Sequence, residues 1–168
     1  MIVGFIFLSF TLATYADSEE RYRQAGHPST TADMFRKLSI DEDVSIRKRV
    51  ASNRKTPKNI LLRLASDPDE SVKISVATNL SSGEDVYSIL SRDPMLAVRS
   101  VVARFEYVPV IALEILAKDK EVDIRLEVAR NLNTTKDILI QLTHDSNDRV
   151  SQIAEQALQR LLNESSSN

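Results

Sequence analysis

Apolar residues recur along this chain at a fixed interval. Ile46, Val72, Val98, Ile124 and Val150 form one column at a spacing of 26 residues. Val50, Val76, Val102, Val128 and Ala154 form a second, four positions on, beside Ala51, Ala77, Ala103 and Ala129. Spacings of four and five fall on one stripe of a helix. A second stripe runs through Ile60, Val86, Ala112 and Ile138, then Leu61, Tyr87, Leu113 and Leu139, then Leu64, Leu90, Leu116 and Leu142. Its i, i+1, i+4 pattern predicts another short helix. Each unit therefore reads helix, turn, helix, and full units occupy 41–66, 67–92, 93–118 and 119–144 without a residue gained or lost. Helix pairs this short cannot close a core alone, and stacking the next pair buries the open stripe. The expected fold is all-α: an α-solenoid of 26-residue helix-turn-helix repeats, one array over 17–162.

The ends follow the same register in weaker form. In 17–40, Arg21, Ala25, Thr30, Met34 and Leu38 lie 26 residues before Arg47, Ala51, Thr56, Ile60 and Leu64, a degenerate first repeat with His27 in the column held elsewhere by asparagine. Residues 145–162 carry a first helix only. Val150, Ile153, Ala154, Ala157, Leu158, Leu161 and Leu162 share one face and polar residues the other, which suits a capping helix. The tail 163–168, NESSSN, reads as disordered. Residues 2–16, IVGFIFLSFTLATYA, are apolar and uncharged but short for a membrane span. They read as the apolar core of a signal peptide, with Thr14-Tyr15-Ala16 as an imperfect cleavage site. No Lys or Arg precedes Arg21. An uncleaved anchor, an apolar cap helix or a displaced chain start are therefore the other readings. Export is favoured slightly over a cytoplasmic location, and membrane contact is expected only from an uncleaved anchor.

Polar columns have mechanical roles. Asp41, Asp67, Asp93, Asp119 and Asp145 precede each first helix, where aspartate accepts from unpaired amides, with Pro68 and Pro94 following at a position that lacks a helical partner. Thr56-Pro57, Ser82 and Thr134 hold the matching place before the second helix, and Ser82 with Asp85, and Thr134 with Asp137, approximate capping boxes. Asn53, Asn79 and Asn131 end the first helix, where asparagine tolerates a left-handed conformation. Arg47, Lys73, Arg99 and Arg125 form a basic column that reads as a structural ladder to the aspartates or to free carbonyls.

These columns resemble a known family. VSIRKRVASNRKTPKNILLRLASD, residues 44–67, follows V-R-x-x-V-A-x-N-x-x-T-P-x-x-x-L-x-x-L-A-x-D with Ile46 in the first place. The pattern is similar to that of the leucine-rich repeat variant family, HEAT-like in shape, and extends over about 17–162. The resemblance implies short helices, some of them 3₁₀, stacked into a curved superhelix. One type of member carries an iron–sulfur cluster beside its repeats. With no cysteine here, that cluster is not carried over and no cofactor is expected.

Composition narrows function more than it defines it. Aromatics are 5% and glycines three, which suits small stacked helices. There is no Gly-rich phosphate loop, nucleophile elbow, HExxH or metal-ligand spacing. The two histidines, His27 and His144, lie far apart, and the carboxylates fall in regular columns. The expectation is a non-catalytic scaffold that binds a protein or peptide. Repeat 93–118 marks the place: the Asn column becomes Phe105 and the cap column Val108, with Tyr107 between. A repacked turn is one reading; a partner site at Arg104, Phe105 and Tyr107 is the sharper one, since aromatic anchors dominate interface energies. The rival is polyanion or nucleic-acid binding by repeat 41–66, where seven cations face three acids. Lys48, Arg49, Arg54, Lys55 and Lys58 are its candidates. Nucleic acid is not favoured, because no aromatic interleaves those cations and the chain's net charge is −2. A structural module without a ligand is the third reading. The variable outward columns expected to carry specificity are Lys48/Ile74/Ser100/Leu126 and Arg49/Ser75/Val101/Glu127 on the first helix. On the second they are Leu62/Ser88/Glu114/Ile140 and Arg63/Ile89/Ile115/Gln141.

Overall fold

The computed structural model describes residues 17–166. The signal-peptide reading of 1–16 and the last two residues of the tail lie outside them. Every regular element among the described residues is a helix. Two compact units divide the chain, Met1–Ser81 and Ser82–Asn168.

In the first unit, helical residues 17–26 (α1) are followed by α2 (Ala32–Leu38), α3 (Val44–Ser52), α4 (Lys58–Leu64) and α5 (Glu70–Ala77). Helix α3 packs on α2, α4 and α5, and α4 packs on α5. The predicted columns become the core: Ile46, Val50, Ala51, Ile60, Leu61, Leu64, Val72, Val76 and Ala77 are all buried, joined by Ala25, Phe35 and Leu38 of the degenerate repeat. Burying each large aliphatic side chain contributes about 1.5–3 kcal/mol.

The second unit holds α6 (Glu84–Leu90), α7 (Leu96–Arg104), α8 (Val110–Leu116), α9 (Val122–Arg130), α10 (Lys136–Leu142) and α11 (Asp148–Ser166). Packing is sequential. Helix α7 meets α8 and α9, α6 meets α7 and α8, and α9 meets α8 and α10. Helix α11 lies on α9 and α10, burying Val150, Ala154 and Ala157. It runs on to Ser166, so the tail expected to be disordered from 163 is helical through 166. No glycine or proline interrupts the stretch after Leu162, and the amphipathic helix continues into it.

Several polar assignments move by two residues. The caps of the first helices are Asp43, Asp69, Met95 and Glu121, not the preceding aspartate column. The column aspartates instead accept, through Oδ1, the amide two residues on, at 2.9–3.0 Å from Asp43, Asp69, Met95, Glu121 and Asn147. This Asx turn turns the chain into the helix one step upstream. Pro68 and Pro94 consequently sit inside that turn, before the cap rather than after it.

The expected capping boxes are absent. Helices α4, α6, α8 and α10 begin at Pro57, Gly83, Pro109 and Thr135, without a side-chain cap bond. The buried hydroxyls of Thr56 and Thr134 point backwards, donating to the carbonyls of Val50 (2.6 Å) and Val128 (2.5 Å). Asn53 and Asn131 are extended, with φ −76° and −68°. No residue described has a positive φ, so asparagine is not used for left-handed tolerance. Two of the outward positions are also interior: Leu126 and Ser75 are buried, because first helices are flanked by neighbouring first helices as well as by second helices.

Candidate binding surface

What holds successive repeats together also fixes what they leave exposed. Arg47 donates to both carboxylate oxygens of Asp67, at 2.8 and 3.0 Å, while its Nη1 reaches the carbonyls of Asp41 and Glu42. Arg99 treats Asp119, Asp93 and Pro94 in the same way. Arg125 does so with Asp145, Asp119 and Lys120. In the degenerate repeat, Arg21 Nε lies 2.9 Å from Asp41 Oδ2. Arg47, Arg99 and Arg125 thus each tie the turn at the head of their own repeat to the carboxylate opening the next. The Asp119 and Asp145 side chains are only 7% exposed in these pairs. Hydrogen bonding to Arg125 holds the Asp145 carboxyl below the ordinary carboxylate range. Asp119 hydrogen bonds, opposed by burial, push the Arg99 guanidinium further up. Lys73 occupies the same column and is buried. The three arginines and five aspartates of the ladder are therefore committed to the framework.

The asparagines form a second seam. Asn53 donates to the carbonyls of Ala25 and His27, Asn79 to Ala51 and Asn53, and Asn131 to Ala103 and Phe105. Each also accepts the amide two residues on, through Oδ1. His27 fills the same column, and its Nδ1 accepts from the Ser29 amide at 3.1 Å. Sequence reasoning missed this bridging role. The signal was present in the constancy of the amide at a spacing of 26, which a helix end alone does not require.

Phe105 departs from that seam. It has no amide to give, and Val108 in the threonine column is buried without a hydroxyl. The backbone turn persists, with the Val108 amide donating to the Phe105 carbonyl at 3.3 Å. Rings replace the polar bonds. Phe105 stacks on buried Tyr87, centroids 6.3 Å apart, and Tyr107 meets Phe105 edge-on at 5.9 Å. Burial pushes the Tyr87 phenol up to about 12. The run climbs from the interior to the surface: Tyr87 is buried, Phe105 half-buried and Tyr107 62% exposed.

Tyr107 opens onto a groove of about 390 Å³ lined by Arg104, Glu106, Tyr107, Arg130, Asn131, Leu132 and Asn133. It lies between two successive inter-helix turns of the second unit. Leu132 is 82% exposed. The Asn133 side-chain amide donates to the Glu106 carbonyl at 2.5 Å and joins the turns. Sequence reasoning named Arg104, Phe105 and Tyr107 and missed Arg130 and Leu132. Both sit 26 residues after positions in the same aberrant turn, Arg104 and Glu106.

The basic candidates lie in the first unit. Lys48, Arg49, Arg54, Lys55 and Lys58 are all exposed, on α3, the turn after it and the start of α4. Arg49 is engaged: its guanidinium lies 5.3 Å from the Tyr22 ring centroid and fills the space a Cβ on Gly26 would need. The other four make no ion pair among the described residues. Among those residues there is also no group of three His, Asp or Glu placed to hold a metal, and no helix long and apolar enough to cross a membrane. Comparison with protein-family models, with curated proteins and with solved structures finds no match.

Proposed function

We propose that the chain is a non-catalytic α-solenoid of the leucine-rich repeat variant type that binds a protein or peptide at the 104–107 and 130–133 turns. The single observation that carries this reading is the aromatic run ending in exposed Tyr107 beside exposed Leu132. An isolated exposed apolar side chain is ordinary. Two that line one groove, one of them braced from beneath by stacked rings, form a pre-ordered anchor of the kind that dominates interface energies. The regular Arg–Asp and Asn seams support a framework role for the repeating columns, leaving recognition to the turn that breaks them.

A photo-crosslinking amino acid at Asn133, with the chain expressed in its native host, tests the reading. The expected result is a discrete crosslinked protein that disappears when Tyr107→Ala is added. Crosslinks unaffected by Tyr107→Ala would sink it. A second reading, polyanion binding, is favoured by the four exposed cations Lys48, Arg54, Lys55 and Lys58, which make no ion pair among the described residues. Phosphate-driven affinity falls steeply with salt, so nuclease-sensitive, salt-sensitive crosslinks at Lys55 would transfer the assignment to that turn.

A further inference from the structure

We infer that the groove takes an extended peptide segment in which an Asp or Glu side chain neighbours a large apolar one; this rests on the peptide-binding reading above. The groove supplies two kinds of surface. Tyr107 and Leu132 provide exposed apolar area, and the volume of about 390 Å³ is near the lower end of ligand clefts of roughly 300–1,000 Å³. Such a space accepts one large side chain and its neighbour. It is about half open to solvent, whereas sites for small ligands enclose most of their ligand, so a chain that continues past it is the better match.

Charge selects the neighbour. Arg104 and Arg130 end successive first helices, α7 and α9, and both line the groove. A cation at a helix C-terminus is favourable by itself. The Arg104 guanidinium, however, makes no hydrogen bond or ion pair among the described residues. Among the described residues the Arg130 guanidinium makes only a 3.5 Å contact to Glu127. The ladder arginines, by contrast, are saturated by carboxylates and carbonyls. Two guanidiniums, that of Arg130 only loosely paired, therefore line the groove with one exposed acid, Glu106. A guanidinium fork pairs best with a carboxylate, which it can engage through two parallel bonds.

Random linear peptides displayed on phage and selected against the immobilised full chain provide the probe. Enriched sequences are expected to place Asp or Glu beside Leu, Phe or Tyr. A synthetic peptide of the leading sequence should lose about tenfold in affinity on the double change Arg104→Gln/Arg130→Gln, and a similar factor when its acid is replaced by the amide. All the altered side chains are exposed, and circular dichroism checks that the variants remain folded. Enriched peptides that need Tyr107 and Leu132 but carry no acid, and ignore Arg104→Gln/Arg130→Gln, would overturn the acidic specificity and leave peptide binding standing. Absence of enrichment, or peptides indifferent to Tyr107→Ala and Leu132→Ser, would overturn both.

Discussion

The column aspartate does two jobs with two oxygens. Oδ1 of Asp145 accepts the Asn147 amide at 2.9 Å, shaping the turn into α11, and Oδ2 takes the Arg125 Nε at 2.6 Å. Both interactions favour the ionised form, and its pKa is accordingly depressed in the fold. The unfolded chain therefore takes up the proton first as pH falls. Stability from this carboxylate is fully present above the unfolded value, about 3.9, and is lost as pH drops through the folded one. Asp43 and Asp69 add to the same limb, each lowered chiefly by the hydroxyl of the serine two residues on, Ser45 and Ser71. Asp145→Asn should thus unfold at lower urea than the parent near pH 7, with the gap closing as pH falls below about 4. A gap that stays constant across that range would show that the charge of Asp145 contributes nothing.

At the scale of elements, the arginine clamp is the joint between one helix pair and the next. Arg99 is 5% exposed and holds Asp119 through two bonds while capping the Asp93 and Pro94 carbonyls. Arg99→Ala should cost about 3–5 kcal/mol, because it leaves the Asp119 carboxylate shielded from water and unpaired. Arg99→Lys should also be damaging, since an ammonium has three donors where the guanidinium reaches four acceptors. The double variant Arg99→Met/Asp119→Leu should recover part of the loss, and chemical denaturation of the three variants measures it. Equal losses in the single Arg99→Ala and the double variant would mean that the carboxylate was not the source. The same joint explains which details were legible in sequence. The apolar columns transfer directly into the core, because a helix stripe depends only on spacing. Cap positions did not transfer, because an Asx turn and an N-cap use the same residue type and differ by two positions. The asparagine seam was hidden for a related reason: its partners lie 26 and 28 residues away, beyond the reach of local rules.

For the molecule as a whole, the exact period made the helix order readable, while the groove was only half readable. Phe105 and Val108 stood out by breaking columns and drew attention to Tyr107 between them, but Leu132 breaks none, and its 82% exposure follows from a turn geometry that spacing does not encode. Helices that pack chiefly on those one or two places along the chain should also lose stability locally. Within the second unit, α11 covers α9 and α10, and α6 packs instead on α7 and α8. Ala154 is fully buried in the α11 face. Ala154→Asp places an unpaired carboxylate there and should detach the helix, at a cost above about 3 kcal/mol. Amide hydrogen exchange is then expected to accelerate most in α9 and α10 and least in α6, because each pair is held by its immediate neighbours and local openings need not spread. Equal acceleration from α6 to α10 would mean that this unit opens as one block, and that its seams of arginine and asparagine couple repeats more tightly than nearest-neighbour stacking allows.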